Sequence, residues 1–204
     1  EGNVQISFSG GRTSAYMLHQ ILEANNGLPN RAKIVFTNTG REMNETLDFT
    51  QECSDRWNVH VTWLEYDEVD GKNTFKEVNH NSASRNGEPF DKLIDKYGRL
   101  PLGIRADEPR RYKTNYRDGF YPYYPIYEAN KTLVDVNNFW NRQPFKLNLP
   151  VVRGKTLKGN CDLCFLKSES QLAMIMKENP ERAVWWLDTE KRFGKQFNRD
   201  RNLA

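Results

Sequence analysis

The sequence predicts an α/β fold: an open, mainly parallel, twisted sheet with helices on both faces, plus a helical C-terminal part. Two observations predict it. Residues 1–66 alternate apolar runs of strand length with longer stretches of helical periodicity. Strand–helix–strand–helix–strand order implies parallel pairing through right-handed crossovers. Two Gly-containing turns then fall just after strands, where open sheets of this kind bind ligands.

Val4 to Phe8 alternates apolar and polar residues at period two, as a strand does. Ser9-Gly10-Gly11 is a turn. From Thr13 to Glu23, the residues Tyr16, Met17, Leu18, Ile21 and Leu22 form a helical stripe that stops before Asn25-Asn26-Gly27. Lys33 to Thr37 is the second strand. Asn38-Thr39-Gly40 leads into a second helix, because Thr39 and Glu42 have capping-box spacing. Met43, Leu47, Cys53 and Trp57 follow at near-helical intervals. Val59 to Leu64 is the third strand. Asp70 to Asn86 is polar and reads as a loop, and Pro89 to Tyr97 as a short helix. Gly103-Ile104-Arg105 reads as the exit of another strand, and the Tyr- and Pro-rich stretch Tyr112 to Tyr127 as an ordered loop. Thr132 to Trp140 is predicted helical, stopping before Pro144. Ser168 and Gln171 again have capping-box spacing and open a helix to about Asn179, and Glu181 to Phe193 continues as helix. The tail from Gly194 is basic and polar and is expected to be disordered. The chain thus reads as one domain over 1–204. Its strand–helix core covers about 1–110, a loop and helical cysteine-containing region about 111–193, and the polar tail 194–204.

Composition excludes several classes. The chain has 204 residues, 37% apolar, with 11 Phe, 9 Tyr and 5 Trp, enough large side chains for a core. Mean hydropathy is -0.84, and no apolar run approaches the ~18 residues of a membrane span. The net charge of +3 suits a phosphate-bearing ligand but is too weak to prove nucleic-acid binding. Three cysteines, Cys53, Cys161 and Cys164, are too few and odd in number for a disulfide framework. A cytoplasmic setting, bacterial or in a phage-infected host, is expected. The chain begins Glu1-Gly2 with no Met, so the start is expected to be trimmed or to carry a tag remnant.

The strongest motif is Ser9-Gly10-Gly11-Arg12-Thr13-Ser14, between a strand and a helix. Gly lets the backbone approach an anion, and successive amides at a helix N-terminus cradle phosphate. Thr13 and Ser14 add hydroxyl donors and Arg12 a charge. The pattern Gly-x-x-x-x-Gly-Lys-Ser/Thr is absent, so this is not the common nucleotide P-loop. A plain strand–helix turn with a Ser cap is the structural alternative.

The motif resembles the PP-loop of the ATP pyrophosphatase superfamily, Ser-Gly-Gly-x-x-Ser/Thr after the first strand. Further matches are similar to the phosphoadenosine phosphosulfate (PAPS) reductase group. Phe36-Thr37-Asn38-Thr39-Gly40 resembles its Asn-Thr-Gly segment, which the resemblance places beside the adenine nucleotide. Gly103-Ile104-Arg105-Ala106-Asp107-Glu108-Pro109-Arg110-Arg111 resembles its Gly-x-Arg-x-x-Glu segment with a following Arg. Arg side chains there can meet phosphate or sulfate bidentately, although Arg105 and Glu108 can also form a local ion pair. Asn160-Cys161-Asp162-Leu163-Cys164, flanked by Phe139-Trp140 and Trp185-Trp186, looks like a phage and mobile-element branch of the family, related to a DNA phosphorothioation component.

Cys161 and Cys164 can be metal ligands, a redox pair or buried thiols. Thiolates suit zinc and iron–sulfur clusters, but a single Cys-x-x-Cys supplies two ligands where a closed site needs about four. Cys53 falls in the helical stripe and is expected to be a core thiol. Relatives carry a further segment with a cysteine ahead of Gly-x-Arg-x-x-Glu, whereas here Leu100-Pro101 runs straight into Leu102. Either the protein lacks this segment, or residues between Pro101 and Leu102 that would hold the missing ligand are omitted from this sequence; the second is the expectation. His19 and His60 are expected to be structural, and His80 has no assigned role. Tyr112 to Tyr127, interleaved with Arg110, Arg111, Lys113 and Arg117, can stack on nucleic acid or simply pack on itself.

The resemblance therefore implies an enzyme that binds ATP or a PAPS-like adenine nucleotide through Ser9–Ser14, Asn38–Gly40, Arg110 and Arg111, with Mg²⁺. Arg105, Glu108, Cys161 and Cys164 would be catalytic, and Cys161 and Cys164 would hold a [4Fe-4S] cluster or zinc. The expected reaction is adenylation of an acceptor with pyrophosphate release, then sulfur transfer, with tRNA or DNA as candidate acceptors and no membrane partner. Two alternatives stay open: reduction of PAPS, against which a tail without cysteine counts, and a non-catalytic nucleotide- or nucleic-acid-binding accessory protein. The sequence sets no oligomeric state.

Overall fold

The computed structural model describes residues 3–97, 129–152, 155–159, 161–163 and 167–194. Four strands form one sheet in the order β1 (Val4–Ser7), β2 (Ala32–Asn38), β3 (Val61–Val69), β4 (Lys72–Val78). The first three are parallel and β4 is antiparallel to β3. The crossovers are α1 (Arg12–Asn25) and α2 (Asn44–Arg56), followed by α3 (Glu88–Tyr97), α4 (Leu133–Arg142), a short hairpin of β5 (Val151–Val152) and β6 (Lys155–Thr156), α5 (Glu169–Glu178) and α6 (Pro180–Phe193). The expected open, mainly parallel α/β sheet is present. Among the described residues no helix is long and apolar enough to cross a membrane.

Register explains the core. Ile34 lies opposite both Ile6 and Val61, Phe36 opposite Trp63, and Asn38 opposite Glu65, so one face of the sheet carries an apolar stripe that ends in two polar residues. The strand order advances in one direction from β1 to β3, so right-handed crossovers place α1 and α2 on the same face. Helix α4 closes over them. Trp140 stacks edge-on against Phe49 (5.2 Å) and Phe145 (5.6 Å), and Phe139 meets Tyr16 and His19. The first core therefore also takes in Val136, Trp140, Phe145, Leu147 and Leu149, from beyond residue 111. A second, smaller core joins Phe90 of α3 to Leu163, Leu172 and Ile175, and to Ala183 and Trp186 of α6.

Three expectations need correction. The segment Asp70 to Asn86 is not all loop, because it contains β4. Asp70 (φ 51°) and Gly71 (φ 72°) form a two-residue turn with both φ positive, the geometry that suits the twist of a hairpin. The strand went unread because it is an exposed edge with one large apolar residue, Phe75, which is 64% exposed. Thr39 and Glu42 do not cap α2, which starts at Asn44 with Met43 at its N-cap and no side-chain cap. They do bond to each other, inside the preceding loop. His60 lies just before β3 rather than in it, and its side chain is 77% exposed, opposite Glu77. The capping box at Ser168 and Gln171 forms as expected, and Thr132 and Asp135 make a second one at α4.

Candidate functional site

The loop Ser9–Ser14 leaves β1 and turns into α1. Gly10 has φ +68°, and a Cβ there would stand 2.7 Å from both Thr46 Cγ2 and Thr50 Oγ1 of α2. No other residue type fits without strain, so the turn presses against α2. Gly11 is the N-cap and has no side chain to bond the first turn, which also holds no acidic residue. The positive end of the helix is thus left to an outside anion. Ser14 ties the loop together: its hydroxyl donates to Gly11 O (2.9 Å), accepts from Ser9 N (3.3 Å) and lies 3.0 Å from Ser9 Oγ. The carbonyl of Arg12 accepts from Trp140 Nε1 (2.9 Å), which pins α1 to α4. Partial burial pulls the Arg12 pKa below its ordinary value. Arg12 also lines an open cleft of about 670 Å³ with Asn137, Asn141, Lys146 and Asn148, and among the described residues no carboxylate lines it.

The second loop, Asn38–Glu42, leaves β2 beside the first. Asn38 is fully buried: its amide donates to Glu65 Oε1 (2.7 Å) and Ser84 O (2.9 Å), and its oxygen accepts from Gly40 N (3.2 Å). Its polar atoms therefore shape the turn. Glu65 also accepts from Ser84 N (2.6 Å) and faces Lys76 Nζ (3.1 Å). Gly40 has φ +78°, and a Cβ there would be 2.7 Å from Ser84 Oγ and 2.8 Å from Gly87 N. Thr39 donates to Glu42 through its amide (3.1 Å) and its hydroxyl (2.8 Å). Burial raises the Glu42 pKa above the usual carboxylate range, against the pull of those bonds.

A third segment, Cys161–Leu163, docks on this loop. Glu42 and Cys161 form an antiparallel bridge, Asp162 N donates to Arg41 O (3.0 Å), and Cys161 Sγ lies 3.8 Å from Thr39 Oγ1. Asp162 is fully buried. Its Oδ2 accepts from Arg41 Nη2 (2.6 Å) and Arg182 Nη1 (3.0 Å), and its Oδ1 from Trp186 Nε1 (2.7 Å) and Leu163 N (2.9 Å). The Arg41 guanidinium also stacks 4.7 Å from the Trp185 ring centre.

Of the residues singled out in the sequence, Ser9, Gly10, Gly11, Arg12, Thr13 and Ser14 share one loop. Asn38, Thr39 and Gly40 form the next, and Cys161 adjoins it. Arg105, Glu108, Arg110, Arg111 and Cys164 lie outside the described residues, as do the Pro101–Leu102 junction and the Tyr112–Tyr127 stretch. Cys53 is fully buried in the first core, and burial drives its pKa far upward, so it is the expected core thiol. His19 stacks on Trp57 and Phe139 in that core, with its pKa lowered chiefly by burial. His80 bonds Asp48 (2.7 Å) and meets Trp63 edge-on. Sequence reasoning missed Arg41, Glu65, Asp162 and Arg182. Asp162 carried one signal, its place between two cysteines.

Among the described residues no group of three or more His, Cys, Asp or Glu could hold a metal ion. Cys161 is the single described thiol beside the loops, since Cys53 belongs to the first core. The described donor set does not fit an iron–sulfur cluster or a zinc site.

Comparison with known proteins adds two findings. A family model described as the phosphoadenosine phosphosulfate reductase domain matches residues 3–127. The chain is also 28% identical over 210 aligned residues to an Escherichia phage lambda protein, the "Uncharacterized nin region protein ORF290". That alignment covers 85% of this chain and 69% of the phage protein.

Proposed function

Because the chain belongs to the phosphoadenosine phosphosulfate reductase domain family, PP-loop proteins that bind adenine nucleotides, we propose that it is an ATP-dependent enzyme that adenylates an acceptor and prepares it for sulfur transfer. The observation that carries this reading is the uncapped first turn of α1 behind Gly10 and Gly11, next to the Asn38–Gly40 turn. The amides of that first turn suit the β- and γ-phosphates, and the neighbouring turn suits the nucleoside. An acceptor oxygen attacks the α-phosphorus. The bond from that phosphorus to the bridging oxygen breaks, and pyrophosphate leaves toward the amides. Fixed donors at the departing charge lower the barrier without reorganising. A sulfur nucleophile then forms its bond to the acceptor as the adenylate oxygen departs with AMP. Arg105, Arg110 and Arg111 would contact the phosphates, Arg105 and Glu108 would be catalytic, and Cys161 and Cys164 would serve the sulfur step.

Mg²⁺ would neutralise phosphate charge. The loop offers it the hydroxyls of Ser9, Thr13 and Ser14 and no first-turn carboxylate, so phosphates and water would hold most of the ion. A cluster or zinc would need Cys164 and donors beyond the described residues, and no step proposed here runs through one.

The test is calorimetry with ATP and with PAPS, followed by assay of pyrophosphate release with tRNA, DNA and small acceptors. ATP binding with acceptor-dependent pyrophosphate release is expected. Consumption of PAPS to sulfite and adenosine 3′,5′-bisphosphate, with an added dithiol supplying the two electrons, would replace this reading with a reductase. Nucleotide binding without turnover would replace it with an accessory protein.

A further inference from the structure

The buried carboxylate of Asp162 is the part of the molecule that the proposed reaction leaves without a task. Four donors converge on it: two guanidinium groups, an indole and the amide of Leu163. Such a centre is a poor way to add stability. Taking the charges out of water costs about as much as their attraction returns, and apolar side chains of similar volume often do as well. What the centre does supply is direction. The donors come from the loop after β2, from the Cys161–Leu163 segment and from α6, and they meet at one carboxyl group.

We propose that Asp162 is a positioning residue that holds the Cys161 thiol against the Thr39–Gly40 turn. This rests on the reading above, which puts the nucleotide at that turn. The main chain on either side of the thiol is clamped as well. Asp162 N donates to Arg41 O, and Lys167 Nζ donates to Gly159 O (2.7 Å) and Cys161 O (2.6 Å). With the backbone fixed at both flanks, the thiol keeps its 3.8 Å approach to Thr39 Oγ1. Arg41 links the two halves of the device. Its carbonyl takes the Asp162 amide, its side chain takes the Asp162 carboxylate, and its own loop carries Thr39. The small second core of Leu163, Ile175 and Trp186 supplies the wall, and the carboxylate sets the register of that wall on the sheet.

The experiment measures iodoacetamide modification of each cysteine by peptide-resolved mass spectrometry on the whole chain, with and without ATP. The variants are Asp162→Asn and Arg182→Gln. The first turns an amide donor toward two guanidinium groups. The second removes one donor from a half-buried position and keeps the test alive if the first fails to fold. Both are expected to speed modification of Cys161 without nucleotide, by about tenfold for Asp162→Asn through local opening. Cys53, buried in the first core, is expected to stay slow. ATP is expected to slow Cys161 in the parent protein and not in Asp162→Asn. If Cys161 and Cys53 accelerate together, the carboxylate is only a stability element and the proposal falls. An unchanged Cys161 rate in the folded variants overturns it too. If ATP binds by calorimetry without slowing Cys161, the thiol is not at the nucleotide, and the proposal fails while the nucleotide reading stands. If ATP does not bind, the nucleotide reading fails, and the contrast between Cys161 and Cys53 still decides the positioning.

Discussion

Replacing Gly10 by Ala tests the Ser9–Ser14 loop where it is tightest. Two independent effects add at this position. The backbone sits at φ +68°, where a residue with a Cβ pays about 1–2 kcal/mol. The new methyl would also stand 2.7 Å from Thr46 Cγ2 and Thr50 Oγ1, and both threonines are buried, so neither can swing away. Overpacking of this kind costs about 1–3 kcal/mol. The lower entropy of the unfolded Ala chain offsets about 0.4–1 kcal/mol. The net expectation is a loss of about 1–5 kcal/mol, centred on about 3. Gly71→Ala is the matched control, because Gly71 has φ +72° and nothing within 4 Å of its Cβ position. It should cost about 1 kcal/mol, the backbone part alone. Urea denaturation followed by tryptophan fluorescence measures both, and calorimetry with ATP should show weakened binding for Gly10→Ala only. If Gly10→Ala costs no more than Gly71→Ala, the contact between the loop and α2 does not constrain the site, and the reasoning fails.

Glu42→Gln should change the pH dependence of stability. The folded pKa of Glu42 is raised by burial, so the stability tied to its neutral form is full below the ordinary glutamate value of ~4.3 and is lost as pH rises through the folded value. Denaturation midpoints taken at rising pH should fall more steeply for the parent than for the variant, and parallel profiles would refute this. Ser168→Ala removes the side-chain cap of α5, the bonds of Ser168 Oγ with Gln171 N and Oε1, and should cost about 1 kcal/mol in a urea titration. Trp186→Phe keeps a ring in the second core but takes the indole donor from Asp162. It should cost about 1.5–3 kcal/mol on the same measurement, as loss of a bond to a charged group does.

The parallel part of the sheet was readable because burial on the helix-covered face gave the strands their apolar residues. Val4 to Phe8 and Lys33 to Thr37 found their places, and the third strand begins two residues after Val59 and runs on to Val69. Strand β4 was not readable by that criterion, since an edge strand exposed along its length needs no apolar pattern. The Asp70-Gly71 dipeptide was its better signal. The Thr39–Glu42 pair shows the limit of spacing rules: the two side chains do bond, but the helix starts beyond them because Asn38 and Gly40 are bound into a turn with Glu65 and Ser84. The turn from β1 into α1 could be placed from its glycines and hydroxyls alone. Asp162 could not, because a sequence marks a charge without saying whether water reaches it. The two cysteines beside it carried the more familiar chemistry and took the attention.

Arg41 and Asp162 stand 121 positions apart in the chain. A contact between such distant partners forms slowly, because a long loop must close before the contact repays the closure. Strands β1 to β3 and their crossover helices, by contrast, need only residues 4–69 to meet. The parallel sheet is therefore expected to assemble first, with the Cys161–Leu163 segment closing onto it late in folding and opening early in unfolding. Amide hydrogens of that segment should exchange ahead of those in β2. A thiol mounted on the last contact to form is presented only by a chain that has finished folding.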